Sequence, residues 1–208
     1  MTHARIASLT LLMAILLAGC KEVDVTDPKV AAAVGDINAE FRSGYRQVLV
    51  EMGTRHFDLP QAEARRAMQE VLQRMGFAVV NSEGDYYLSV TAPAPTPLDS
   101  AEWEEVRRAH EPRMKDIAAI HLGFKGRFVK LEPEGLNILG VLTFVPAARG
   151  VDISITMRLQ EVRPQSPESI LPRREYPPPH AVRIGYGKIW SAFAEQTASH
   201  GRIAATLP

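Results

Sequence analysis

The 208-residue chain carries 24 lysines and arginines against 24 aspartates and glutamates, and 46% of its residues are apolar. That neutral balance argues against a nucleic-acid binder, which needs clustered positive charge to displace counterions from phosphates. The apolar content argues against an unfolded tail and suits one domain with one core. Cys20 is the single cysteine, so no intrachain disulfide and no cysteine metal cluster can form. Stability has to come from packing.

The first twenty residues fall into three parts. Met1 to Arg5 is a short positive segment, Ile6 to Ala18 is an almost unbroken apolar run of 13 residues, and Leu17-Ala18-Gly19-Cys20 closes it. Crossing roughly 30 Å of hydrocarbon takes about 20 apolar residues, so this run is too short to span. The closing four residues resemble the lipobox of bacterial lipoproteins. The resemblance implies that residues 1–19 are a signal peptide cut before Cys20, whose sulfur and new amine then carry acyl chains. The 24 basic groups less Arg5 leave 23 against 24 acidic groups on the mature chain, a net charge of −1. In enterobacterial sorting an aspartate after the cysteine retains lipoproteins in the inner membrane, so by the same resemblance Lys21 favours the outer membrane, facing the periplasm. Residues 20–44 read as a tether, which over its first twenty residues reaches up to roughly 65 Å. Within it, Asp27-Pro28 is able to start a helix through Ala31 to Ala33, weakened by Gly35.

From Tyr45 the pattern becomes that of a folded domain, residues 45–208. Gln47 to Met52 alternates in a way that suits a strand running towards Phe57. Asp58 and Pro60 open a helix whose Ala64, Met68, Val71, Leu72 and Met75 share one face. Gly76 supplies its left-handed stop, and Phe77 folds back in a Schellman cap. Phe77–Val80 and Asp85–Thr91 make a hairpin about Asn81-Ser82-Glu83-Gly84. After Pro93, Pro95 and Pro97, a second helix capped at Asp99 or Ser100 carries Trp103, Val106, His110, Met114, Ile117 and His121, with Pro112 set to kink or divide it. Gly123 ends that helix. Strands are expected at Arg127–Leu131, Leu136–Val145 and Val151–Val162, the last with the alternation of a sheet wet on one face. A proline-rich loop, residues 164–181, then leads to a final helix from about Gly185 with Ile189, Trp190 and Phe193 on its apolar stripe. The expected fold is α+β, a mainly antiparallel sheet of about six strands with helices packed on one face.

A second resemblance rests on Thr54-Arg55-His56-Phe57-Asp58 and on the helix ending Glu70-Val71-Leu72-Gln73-Arg74-Met75-Gly76-Phe77. These segments are similar to a pattern in an uncharacterised proteobacterial lipoprotein family, in which an arginine-aromatic strand end leads into a helix closed by Leu-Gln-x-x-Gly-Phe. It covers about 50 residues and implies a lipid-anchored α+β envelope domain. No catalytic residue is carried across by it.

The chain contains no recognisable nucleophile, metal or phosphate motif, so no cofactor or metal is expected. His110 and His121 share a helix face about 16 Å apart, too far to hold one ion. Gly123-Phe124-Lys125-Gly126 lacks the remainder of a phosphate loop and reads as a turn. Glu104, Glu105 and Glu111 beside Arg107 and Arg108 suit surface ion pairs. Trp103 and Trp190 sit on apolar stripes and read as core. Cys20 is the lipidation site, and Arg173, Arg174 and Tyr176 in the proline-rich loop are the candidate contacts for a partner protein. The expectation is a non-enzymatic envelope lipoprotein acting through protein contacts. The competing reading is an envelope enzyme or small-ligand binder with a site between sheet and helices. A deep pocket of convergent polar groups would favour the second, and an exposed apolar patch the first.

Overall fold

The computed structural model describes residues 27–162 and 175–204. Helix α1 (Pro28–Met52) starts where Asp27-Pro28 predicts, with the Asp27 carboxylate accepting from the Lys29 amide at 2.8 Å. It then runs through the expected tether and through the expected strand at residues 47–52. Val30, Ala33, Ile37, Phe41, Tyr45 and Val48 are buried at helical spacing, whereas Val50 faces solvent. Each larger side chain on that stripe contributes about 1.5–3 kcal/mol through burial. Gly44 is accommodated because Pro179 packs on it, its Cγ 2.4 Å from where a Cβ would stand.

Among the described residues the sheet has five strands, against the expected number of about six, in the order β1-β5-β4-β3-β2 with every neighbour antiparallel. They are β1 (Thr54–Phe57), β2 (Ala78–Glu83), β3 (Tyr87–Pro93), β4 (Leu136–Pro146) and β5 (Val151–Glu161). The expected strand at Arg127–Leu131 is missing. Gly123–Phe128 forms a 3-10 turn after the helix, and Val129 and Leu131 bury their side chains without a strand partner. On β5, Val151, Ile153, Ile155 and Met157 are buried, while Thr156 and Arg158 on the alternate row are exposed. One row of the sheet therefore faces the helices, as the period-two pattern requires.

Helix α2 (Gln61–Arg74) begins after Pro60 without a side-chain cap. Asp58 pairs with Arg149 at 2.9 Å instead of capping. Its end is the expected Schellman cap: the Phe77 amide donates to Leu72 and that of Gly76 to Gln73, with Gly76 at φ 92°. Helix α3 (Ser100–Leu122) opens on a reciprocal capping box of Asp99 and Glu102. It passes Pro112 as one continuous element. Helix α4 (Pro179–Ala204) starts six residues before the expected Gly185, absorbing the end of the proline-rich loop. Trp190 and Phe193 close the core against Phe57, at centroid distances of 5.9 and 4.6 Å.

Strand β1 is only four residues long, so the edge of β5 beyond Ser154 needs other partners. It finds four. The Ile155 amide donates to the Gly53 carbonyl, and that of Leu159 to the Glu175 carbonyl. The Met157 amide donates to the Tyr45 hydroxyl at 2.7 Å, and the Tyr186 hydroxyl donates to the Ile155 carbonyl at 2.8 Å. Burial raises the pKa of both phenols, most strongly at Tyr186, where the Tyr45 hydroxyl adds to the effect. Tyr186→Phe is expected to lower stability by about 1–3 kcal/mol, because a buried carbonyl loses its donor while the ring volume stays. Tyr45→Phe should cost a similar amount, and the double variant should depart from additivity since the two side chains interact. Urea unfolding of the three variants checks this. A loss below about 0.3 kcal/mol in both single variants would show that neither hydroxyl supports the edge.

Candidate functional site

Cys20 and the two arginines of the candidate arm, Arg173 and Arg174, lie outside the described residues. Tyr176 does not behave as a surface anchor. It is 8% exposed, stands 5.9 Å from the Tyr45 ring and lies under the Arg158 guanidinium at 4.3 Å. Pro177 and Pro178 beside it are also buried. The reason is the short β1: the chain at Glu175 completes the exposed edge of β5, which draws the next aromatic into the core. Tyr176 is thus a packing residue.

Polar side chains converge most clearly where α1, α3 and the start of α4 meet. A cleft of about 370 Å³ there is lined by Glu40, Phe41, Gly44, His110, Arg113 and Pro179, among others. The backbone amide of His180 donates to the His110 Nε2 at 3.2 Å. That amide lies in the first turn of α4, where helical amides have no partner of their own. His110 therefore does for α4 what an N-cap side chain ordinarily does, but from another helix. Burial, then the neighbouring His180, hold the His110 pKa below the usual histidine range, with Glu40 opposing. A neutral ring with the proton on Nδ1 suits the acceptor role. His180 in turn faces Glu105 at 2.9 Å, His121 faces Asp36 at 2.8 Å and His56 faces Asp152 at 2.8 Å. Among the described residues no group of three or more His, Cys, Asp or Glu side chains is placed to hold a metal ion.

Glu111 makes the helical ion pair with Arg107 that is expected of it, but it is buried and not on the surface. Its side chain is 11% exposed and takes Lys115 at 2.6 Å, Arg107 at 3.2 Å and the Leu131 amide at 3.3 Å. Burial works against its charge, yet the hydrogen bonds from Lys115, the Leu131 amide and Arg107 prevail and lower its pKa. A general acid needs the opposite shift. Glu111 instead ties the segment after the 3-10 turn back onto α3.

Between sheet and helices lies a crevice of about 40 Å³, walled by Pro95, Pro97, Leu98, Trp103, Leu159 and Pro178, among others. Its walls are almost wholly apolar, with no ionisable side chain on them.

Exposed apolar side chains include Val50, Val80, Tyr86, Val145 and Val162, and a further set lies at the end of α3 and on the turn after it. Ile120 is 75% exposed, Phe124 71% and Phe128 58%, the two rings meeting edge to face at 5.1 Å. By sequence Phe124 is expected in a turn and Phe128 in a strand. The run Phe124-Lys125-Gly126-Arg127-Phe128 brackets basic residues with aromatic ones on a segment too short to bury either. Among the described residues no helix is long and apolar enough to cross a membrane. Comparison with family models, with curated proteins and with solved structures found no match to this chain.

Proposed function

We propose that the chain is a lipid-anchored lipoprotein of the bacterial cell envelope, held by acyl chains on Cys20 at the outer membrane and facing the periplasm. It acts there as a non-enzymatic structural or accessory protein through contacts with envelope proteins. The observation that carries this reading is the order of residues 1–20: a positive start, a short apolar run and Leu-Ala-Gly-Cys, only seven residues before the Asp27 cap of the first helix. Each buried methylene of an acyl chain contributes about 0.8 kcal/mol, so two or three chains hold a protein where one leaves it exchanging.

Expression of the wild type and Cys20→Ser in a bacterial host with radioactive palmitate tests it. The wild type should run as a processed, labelled species in the membrane fraction. The variant should lose the label and remain larger by the uncut residues 1–19. Unchanged processing and membrane association in the variant would overturn the anchor. Crosslinking of the labelled protein in intact envelopes should then recover specific partners, with Arg173 and Arg174 as the first positions to substitute.

A further inference from the structure

Asp27, from which α1 starts, and the exposed aromatic surface lie at the same end of the described structure. Helices α1 and α3 run antiparallel, since Asp36 meets His121 at 2.8 Å, Glu40 meets Arg113 at 3.6 Å and Phe41 meets His110 at 5.5 Å. The N-terminal end of α1 is therefore beside the C-terminal end of α3. Pro28 lies two turns, about 12 Å, beyond Asp36 along that axis. The 3-10 turn bearing Phe124 and Phe128 folds back on the same end, with Gly126 so close to α3 that a Cβ there would stand 2.3 Å from the Ala119 nitrogen.

The link between Cys20 and Asp27 is seven residues, which fully extended reach at most about 25 Å. That is far less than the roughly 65 Å of a free tether, because residues 28–44 are taken up by α1. From Ile117 to Leu131 the chain carries Lys125, Arg127 and Lys130 and no carboxylate, with Asp116 and Glu132 at its borders and Lys130 lying 4.0 Å from Glu132. Nearby Asp36 is engaged by His121. Exposed rings flanked by cations suit the boundary between headgroups and acyl chains of an anionic membrane.

We infer that Ile120, Phe124 and Phe128, with Lys125 and Arg127, form a second membrane contact that seats the domain on an anionic phospholipid surface. The inference rests on acylation of Cys20. It fixes the orientation of the domain: the end carrying Phe124 faces the bilayer, and the opposite end of α1, near Val50, faces away.

Because Cys20 is the sole cysteine, Phe124→Cys, Phe128→Cys and Val50→Cys each offer one free thiol in the acylated protein. Each is labelled with an environment-sensitive fluorophore and reconstituted into phosphatidylethanolamine–phosphatidylglycerol vesicles containing lipid-borne quenchers. The expected result is blue-shifted, quenched emission at 124 and 128 and water-like emission at 50, where Val50 is 89% exposed. In Lys125→Glu/Arg127→Glu the quenching at 124 should fall several-fold. Water-like emission at 124 and 128 in protein that carries palmitate would overturn the membrane contact and leave the anchor standing. Equal quenching at all three positions would overturn it as well. Protein without palmitate would overturn the anchor reading, and this inference with it.

Discussion

Trp190→Ala is expected to destabilise the domain by about 3–5 kcal/mol, the usual cost of truncating a fully buried tryptophan. Trp190 is 1% exposed, and its ring lies 5.9 Å from Phe57 and within 5.7 Å of the Arg55 guanidinium. Its indole N–H donates to the Met52 carbonyl at 2.8 Å. One side chain thus holds three elements together: the end of α1, the short β1 and α4. Truncation opens a cavity under β1 and frees a carbonyl at the end of α1. Trp190→Phe separates the two effects, since it keeps most of the volume and loses the donor, for an expected cost of about 1–2 kcal/mol. Urea unfolding followed by far-ultraviolet circular dichroism measures both, because Trp103 would confuse a fluorescence signal. A shift in midpoint with an unchanged slope would place the effect in the folded state. A loss below about 1 kcal/mol in the alanine variant would show that the core rearranges to close the gap.

Gly150→Ala should cost about 2–4 kcal/mol, much more than an extra methyl at a turn normally does. Gly150 precedes β5 at φ 80°, a conformation that penalises any L side chain by roughly 1–2 kcal/mol. Its added Cβ would stand 2.0 Å from the Phe57 carbonyl oxygen and 2.8 Å from the Asp58 Cα. Both are backbone atoms, so no rotamer change relieves the clash. The strand must move, and the Phe57–Val151 pairing loosens with it. Gly187→Ala serves as the opposite control. Nothing lies within 4 Å of a Cβ at that position on α4, so the same change should stabilise by about 0.5–1 kcal/mol through helix propensity. Thermal and urea midpoints of Gly150→Ala that stay unchanged or rise would refute the account of Gly150.

Local chemistry made several elements legible. The Gly76-Phe77 stop, the Asp99–Glu102 capping box and the alternation on β5 each involve residues a few positions apart, whose partners are dictated by backbone geometry. Fold class and the helix-facing row of the sheet followed from these. The error at residues 47–52 had a different origin. Val48 and Val50 imitate a strand when read in a short window, and only the stripe from Val30 to Val48 reveals the helix. Gly44 interrupts that stripe and would argue for a break, except that Pro179, far along the chain, occupies the space above it.

The sites divide in the same way. The expected lipobox is a contiguous run, so the proposal about Cys20 rests on the sequence alone. The candidate arm was judged by composition, and composition cannot register that a four-residue β1 leaves an edge to be covered. That shortfall, closed by Tyr45, Tyr186 and the chain at Glu175, is what turned Tyr176 inward. The antiparallel pairing of α1 with α3 was equally invisible, since it joins Asp36 to His121 across 85 residues. The sequence by itself determined the caps at Asp27, Asp99 and Gly76 and the alternation on β5, because each is settled by neighbours along the chain. The tertiary structure alone decided which aromatic was buried, how α1 pairs with α3 and which end carries Phe124 and Phe128, because these depend on contacts that only folding brings together.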